Sequence, residues 1–573
     1  MKTIGLRVLL STSIAVSAAF QLAPPLAAGA ASAALPFCAP SIAAGQQHSV
    51  AVKSDGTAYG WGDNSNGQVG NNDSPNDTDE PALVTGVGGT GNLSGVVAVA
   101  AGGNQALALL TDGTVRAWGR NAEGELGDNN APNDSDSPVQ VVGPGGTGTL
   151  GGIVAVAEGR YHSLALKSDG TVWAWGNNSN GQLGDGNGPT DSPTPVQVLG
   201  AGGTGVLSGV VAIGAGNYYS MALKSDGTVW TWGQDDNGQL GDGDPQTDSD
   251  TPVQVVGPGG VGTLGGVVAI APNRHQALVL RSDGTVWAWG NNANGELGDN
   301  STTERHTPVQ VVGAGGSGFL TDVIAVAMGG HHALAAKSDG SAWGWGRNAD
   351  YQVGDGTNTE RHVPTQVVGA GGTGTLAGVE SVTAGDHHSL ALRTDGTIWG
   401  WGRDNSGEVG NNTSGPDVQT PSKVSQETGL TSVAGSCLLV GAVSPATAAC
   451  SGGSTVVLAG SGFLGATQVR FGDTAAQSFT VDSDTHVTAV TPAGTAGKVN
   501  VTVTTPRGTS AATVLDEFTC TEPPALPAAG AAPSEPRVPL LPALVAMLLL
   551  AAGLAAWQLR RRGAEPRGVT ARR

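Results

Sequence analysis

"GTVWAWGNNSNGQLGDG" (Gly170–Gly186) joins a β-like run carrying two tryptophans to a polar loop of asparagine, glycine and aspartate. Close copies begin at Gly56, Gly113, Gly227, Gly284, Gly340 and Gly396, so that the seven glycines stand 57 or 56 residues apart. The motif is one part of a seven-fold internal repeat. A catalytic loop acts once and would not need seven copies.

Read outward from residue 153, one unit runs "IVAVAEG", a two-residue turn, "HSLALKSDG", "TVWAWG", a polar loop and "TPVQVLGAGGTGVLSG". Apolar residues alternate at period two in "SLAL" and "TVWAW", "SDGT" marks a hairpin, and the valine-rich runs suit buried strands. Four short strands per unit can bury their faces only by stacking on neighbouring units, and a closed ring of four-stranded blades does this while leaving few edges. The "VAVAAG" element occurs eight times, last in "TSVAGSCLLV" from Thr431, against seven copies of "GTVWAWG". The surplus partial unit suits ring closure, its strands pairing beside the first blade. The glycine-rich piece "GAGGTGTLAG" from Gly369, with its copies, is placed in a loop on one rim. The expected fold is all-β: a seven-bladed β-propeller over residues 35–442, a small β-sandwich over 443–520 and a C-terminal transmembrane helix.

Only 13% of the 573 residues are charged and 93 are glycine, which argues against a helical protein. Residues 1–34 carry Lys2 and Arg7, an apolar stretch and the small residues "AAGAASAA", the layout of a secretory signal peptide. After a proline-rich linker over 521–537, residues 538–557 form an apolar run long enough to cross a bilayer. Arg560, Arg561 and Arg562 follow it, which keeps the basic tail over 558–573 in the cytoplasm and the rest of the chain outside. Removing the +2 of residues 1–34 and the +6 of residues 537–573 from the total of −20 leaves −28 on the exported part. Such a surface repels nucleic acid and anionic lipid. All four cysteines lie in that part, where disulfides persist. Of the three pairings, position favours Cys38 with Cys437, which bracket the repeats, and Cys450 with Cys520, which bracket the segment after them.

Candidate chemistry is weighed repeat against repeat. His48–Ser49, His162–Ser163 and His388–Ser389 are strand neighbours that point to opposite faces, and their places hold Gln105–Ala106, Tyr219–Ser220 and Gln276–Ala277 in sister units. That favours a repeated hydrogen-bonding or packing position over a nucleophile with its base. Glycine runs such as "GPGGTGTLGG" lack the lysine and helix of a phosphate loop. "DNSNG" (Asp63–Gly67), "QDDNG" (Gln234–Gly238) and "RDNSG" (Arg403–Gly407) offer oxygens at alternate positions without the terminal glutamate of a calcium loop, and read as self-capping turns. No catalytic residue, cofactor or metal is expected, and "NNSNG" with Asp185 reads as a capped turn and a solvated carboxylate.

Trp61, Trp118, Trp175, Trp232, Trp289, Trp345 and Trp401 are invariant among the repeats, which assigns them to packing between blades. The first aromatic of the motif varies. The sharpest differences fall in the two-residue turn before the His-Ser strand. The partner-face candidates there are Gln46, Gln47, Arg160, Tyr161, Asn217, Tyr218, Arg274, His275, His331, Asp386 and His387. A rim with Arg, Tyr and His is a surface type that partners bind.

"IAAGQQHSVAV" (Ile42–Val52), "VTAGDHHSLAL" (Val382–Leu392) and "WGNNSNGQLGDG" resemble the two halves of the regulator-of-chromosome-condensation repeat, over roughly residues 41–440. The resemblance implies a seven-bladed propeller; the glycine-rich insertion departs from the family's pattern. "GSGF", "VRFGDTAA", "TPAGTAG" and "TTPRGTSA" resemble an IPT/TIG immunoglobulin-like domain, in which Cys520 replaces a frequent aromatic residue, supporting a bond to Cys450. "VPLLP", the apolar run and the arginines together resemble an exosortase-type sorting signal. The family's founders exchange nucleotide on a nuclear GTPase, a role that an exported chain would not share. Secreted bacterial relatives include propeller-type β-lactamase inhibitory proteins. The expectation is therefore a monomeric, non-enzymatic, bacterial surface protein that binds an extracellular or surface protein through rim loops. Polysaccharide binding and inhibition of an extracellular enzyme are the alternatives.

Overall fold

The computed structural model describes residues 42–521 except 245, 428, 431–438, 462, 464–465, 484–485, 495, 506–507 and 511–516. The expected signal peptide, Cys38, Cys437 and their bond, the linker beyond Thr521, the apolar run and the basic tail lie outside the described residues. Among the described residues no helix is long and apolar enough to cross a membrane.

The third repeat shows how the period becomes structure. Its strands Ile153–Glu158, His162–Lys167, Val172–Gly176 and Ser192–Gln197 form one antiparallel sheet in chain order. The same arrangement recurs in every repeat, giving seven such sheets among the described residues, an all-β, propeller-like architecture. The second strand is buried from His162 to Leu166 because both faces of the sheet are covered. Leu164 and Leu166 pack with Trp232 of the fourth repeat, whereas Ala165 packs with Trp175 and residues of the second. Large and small side chains thus alternate toward the two neighbours, which is why period two survives in a strand with no solvated face.

Each invariant tryptophan is fully buried at a junction. Its indole Nε1 donates to a backbone carbonyl of the preceding repeat: Trp175 to Glu125 at 2.7 Å and Trp232 to Gln182 at 2.9 Å, with the other five alike. The glycine of the loop motif follows from this. Gly184 has φ +67° and lies against Trp232, where a Cβ would come within 2.7 Å of the indole nitrogen. Every junction therefore combines a large apolar area with a satisfied polar atom.

The same junctions explain the His-Ser strand. Ser220 Oγ donates to the Gln182 carbonyl at 2.8 Å and lies 2.8 Å from Nε2 of His162 in the preceding repeat. The hydroxyl has one proton, already committed to the carbonyl, so His162 must be the donor to Oγ. That polarity is opposite to a nucleophile with its base. Burial holds the His162 ring neutral, with its pKa lowered to about 3. His332 with Ser389 and His388 with Ser49 repeat the arrangement at 2.8 and 2.9 Å. His48 breaks it, because Ala106 stands where its hydroxyl partner would be, and neither ring nitrogen has a well-formed hydrogen bond. Ala106→Ser should therefore raise stability by about 1 kcal/mol, read as a shift of the urea midpoint at unchanged slope; an unmoved or lower midpoint would contradict this account of the junction.

The seventh and first repeats meet through these same contacts. Trp61 donates to the Glu408 carbonyl at 2.9 Å, and Ile42, Ala51 and Tyr59 share a core with Leu390, Leu392 and Ile398. All four strands of the first sheet come from its own repeat, so among the described residues no strand is exchanged at the seam, which side-chain contacts and a backbone bond from Asn412 N to Asp79 O at 2.9 Å hold together. Its inner strand, Ile42–Ala44, has three residues where the others have six or seven. The surplus element expected to pair there falls on residues 431–438, outside the described residues. Each glycine-rich insertion forms a short 3-10 turn, such as Ala201–Gly203, against the outer strand Ser249–Gln254 of the following repeat.

The C-terminal part consists of two sheets, one beginning with Leu439–Ser444 and the other containing Gly497–Thr505. Val456, Leu458, Val469, Phe471, Val503 and Phe518 lie in one core between them. Cys450 is bonded to Cys520, one of the two pairings read from position.

Candidate functional site: the channel mouth

The inner strands of all seven repeats line a central cavity of about 280 Å³. Gln46, Arg160, Asn217, Asn273 and Asp386 stand among its lining residues, so the variable two-residue turns gather around the mouth of this channel. They are less open than turns usually are. Gln46, Gln47, Arg160, Tyr161, Tyr218, Arg274, His275, His331 and His387 are half-buried, while Asn217 and Asp386 are each only 6% exposed. Inner turns are shielded by the turns on either side, an effect that strand periodicity alone does not convey.

The second turn residues form aromatic contacts between successive repeats. Tyr161 and Tyr218 have ring centroids 5.1 Å apart, and His331 and His387 6.1 Å. The guanidinium groups of Arg120 and Arg160 lie 5.0 and 5.1 Å from the Tyr161 ring centre. Arg120, absent from the turns, comes from the loop after the third strand and pairs with Glu123 at 2.5 Å and with Glu125. Across the mouth, Arg347 of the equivalent loop pairs with Asp350 and donates to His387 Nδ1, both at 2.7 Å. Sequence reading named the turns but missed these loop arginines; the available signal was their variation at the first loop position, where sister repeats hold Asp63, Asn177, Gln234 and Asn291.

Electrostatics at the mouth follow burial first. His275 is lowered to about 4 by burial, with Arg274 and Arg160 adding like-charge repulsion. Burial raises Glu158 well above the carboxylate range; it accepts a hydrogen bond from Gln105 and lies 3.0 Å from Ser163 Oγ, whose own proton goes to the Glu125 carbonyl. The fifth repeat is locally different. Asn273 replaces a glycine found in the other six, its inner strand runs one residue longer, and Arg274 takes φ +39°. At five of those six positions the glycine sits against the next repeat's backbone: at Gly159 a Cβ would meet the Gly216 carbonyl at 2.4 Å. A non-glycine residue in that backbone region carries strain, which the surrounding contacts must offset.

The remaining sequence candidates resolve as scaffolding. In "NNSNG", Asn177 caps Ser179, while buried Asn178 accepts from Leu183 N and donates to Asp185 at 3.2 Å. Asp185 is thus a turn anchor, half-buried, and not the solvated carboxylate expected of it. Among the described residues no group of three or more His, Cys, Asp or Glu is placed to hold a metal. The variable tryptophans are half-buried near the opposite ends of the strands, with Lys167 5.5 Å over Trp173, Lys224 5.5 Å over Trp230, Lys337 5.9 Å over Trp343 and Arg393 5.7 Å over Trp399.

Repeated four-stranded sheets around a channel, uniform at their junctions and variable at the mouth, define a propeller-like repeat scaffold with one elaborated face. The chain belongs to the RCC1-like domain family, whose model matches residues 75–457. An RCC1 repeat model matches residues 41–68, and an IPT/TIG domain model matches residues 438–519. The ultraviolet-B receptor UVR8 of Arabidopsis thaliana is 30% identical over 316 residues, 55% of this chain and 67% of that protein. The E3 ubiquitin-protein ligase HERC2 of Homo sapiens is 32% identical over 355 residues, which is 62% of this chain and only 7% of the ligase. Among solved structures, Prp20p of Saccharomyces cerevisiae, described with its binding properties to Gsp1p and histones, aligns with a TM-score of 0.52 at 22% identity over 67% of this chain and 87% of Prp20p. Human WBSCR16 aligns with a TM-score of 0.52 at 22% identity, covering 65% and 95% of the two chains. At such identities these structures speak to the fold alone.

Proposed function

We propose that this chain is an exported, non-enzymatic propeller of seven blades, tethered at the cell surface by its C-terminal segment, that binds a protein through the channel mouth. The observation that carries the reading is the convergence of variable turns on one mouth, where Tyr161, Tyr218, His331, His387 and several arginines stand above an otherwise uniform scaffold. Rigid aromatics and arginines are the side chains that dominate protein interfaces. The leader-like residues 1–34, the −28 charge of residues 35–536 and the cysteine placement support export, and the apolar run over 538–557 supports tethering, whether it is kept or removed by a sorting enzyme. An extracellular address removes nucleotide exchange on a nuclear GTPase. Carbohydrate binding is a weaker reading, because cations already cover one face of Trp173, Trp230, Trp343 and Trp399.

Crosslinking and affinity capture with the full chain test this reading. A variant with Arg160, Tyr161, Tyr218, Arg274 and His275 changed to alanine should lose the captured protein by about tenfold or more. A control with Lys167, Lys224 and Lys337 changed to alanine, at the far ends of the same strands, should retain it. Equal capture by all three would overturn the assignment of the mouth.

A further inference from the structure

We propose that the small pocket beside the channel mouth is built to receive one acidic side chain of the protein partner, held by the Arg160 guanidinium with the Gln46 amide as second donor. This rests on the reading of the mouth as a protein-binding face and specifies what that face recognises. The pocket encloses about 130 Å³ between the first three repeats and is lined by Gln46, Gly103, Asn104, Arg120, Arg160 and Tyr161. That space admits a whole Asp or Glu side chain together with water. Gly103 contributes no side chain to fill it.

The donors around it are unequal. Arg120 is neutralised by Glu123 and also held by the buried Glu125, whose carboxyl burial raises to about 8, and Asn104 Nδ2 is engaged by Asn66 at 3.2 Å. Among the described residues, the Arg160 guanidinium makes no ion pair or hydrogen bond and the Gln46 amide has no hydrogen-bond partner. Packing against the Tyr161 ring holds the guanidinium in place without consuming its N–H groups, which leaves its fork open for a planar, bidentate acceptor. Glu158, the carboxyl nearest in sequence, lines the channel but is buried and hydrogen-bonded to Gln105, so it does not neutralise the arginine.

The wider charge narrows the partner. A chain with 47 acidic and 27 basic residues repels a polyanion as a whole, yet that repulsion is screened beyond roughly 8 Å at physiological salt. One protruding Asp or Glu on an otherwise neutral or basic surface satisfies both conditions. A run of acidic residues does not.

The probe is N-acetyl-glutamate α-methylamide, whose side-chain carboxylate is free, with the glutamine counterpart as neutral control. Binding to the full chain is followed on the backbone amide resonances of Gly103 and Tyr161, which line the pocket and are retained in every variant tested. The expected result is a saturable shift with a millimolar Kd for the glutamate probe and none for the glutamine probe. Binding should vanish in Arg160→Gln, persist in weakened form in Arg160→Lys, and weaken about tenfold in Gln46→Leu. Equal shifts with both probes, or no saturable shift, would overturn the proposal. Partner capture that is lost in Tyr218→Ala but survives in Arg160→Gln would also overturn it, while leaving the mouth as the binding face. Specific probe binding, joined to capture that no mouth variant affects, would keep the pocket and overturn the protein-binding reading instead.

Discussion

Trp61→Ala is expected to cost about 3–5 kcal/mol of stability, as much as Trp232→Ala. Trp232 lies at an internal junction, whereas Trp61 joins the first repeat to the seventh across 347 residues of chain. Both indoles are fully buried. Truncation would leave a cavity and deprive a carbonyl of its indole donor, Glu408 O in one case and Gln182 O in the other. The equality is the informative part. In a closed ring of seven, the first and last units depend on each other as strongly as any pair inside the array. If the ends were open, Trp61→Ala would be close to neutral while Trp232→Ala remained costly. Urea denaturation of the two variants side by side separates the cases.

Asp235→Asn and Asp404→Asn should each stabilise the protein at pH 8 by on the order of 3 kcal/mol and do little at pH 4. The other five repeats place Asn64, Asn121, Asn178, Asn292 and Asn348 at this loop position. In each, Oδ1 accepts from a backbone N–H and Nδ2 donates to the side chain seven residues on, as Asn292 does to Asp299 at 3.2 Å. In Asp235 and Asp404, Oδ1 keeps the backbone bond, but a buried oxygen without a partner replaces the amide nitrogen. Burial raises both carboxyls to about 7, with neighbouring carboxylates adding to the shift, Asp242 and Asp248 for Asp235 and Glu408, Asp79 and Asp417 for Asp404. The folded protein therefore keeps a proton that the unfolded chain has released between roughly pH 4 and 7. Stability should fall as pH rises through that window and level off above it. The asparagine variants remove that slope, and because the two sites lie in separate repeats their effects should add. Midpoints measured at pH 4.5 and 8 check the sign; a gain that is equal at both values would contradict it.

These two aspartates also mark the limit of what the sequence conveyed. The 57-residue period and the alternation in "HSLALK" and "TVWAW" made the strands, their stacking and the role of Trp175 legible, because one copy controls for the next. The partners of His162 and Trp232 were not legible, since each lies in an adjoining repeat and only the stacked arrangement brings them within 3 Å. "QDDNG" reads in sequence as a self-capping turn, which leaves out the burial that makes Asp235 an imperfect copy of the asparagine in its sister repeats. At the mouth, the turns were identified from their variation, but Arg120 and Arg347 join them from a separate loop, and Arg274 takes its positive φ beside Asn273, which stands where the other repeats have glycine.

The claim that function resides at the channel mouth is tested most directly by hydrogen exchange of the full chain with and without its captured partner. Protection is expected in the turns at residues 46–47, 103–104, 160–161, 217–218, 274–275, 330–331 and 386–387, and in the loop at residues 120–125, with the hairpins at the far ends of the strands unchanged. Protection confined to the glycine-rich insertions or to the far hairpins, with the mouth turns exchanging as in the free protein, would contradict the account.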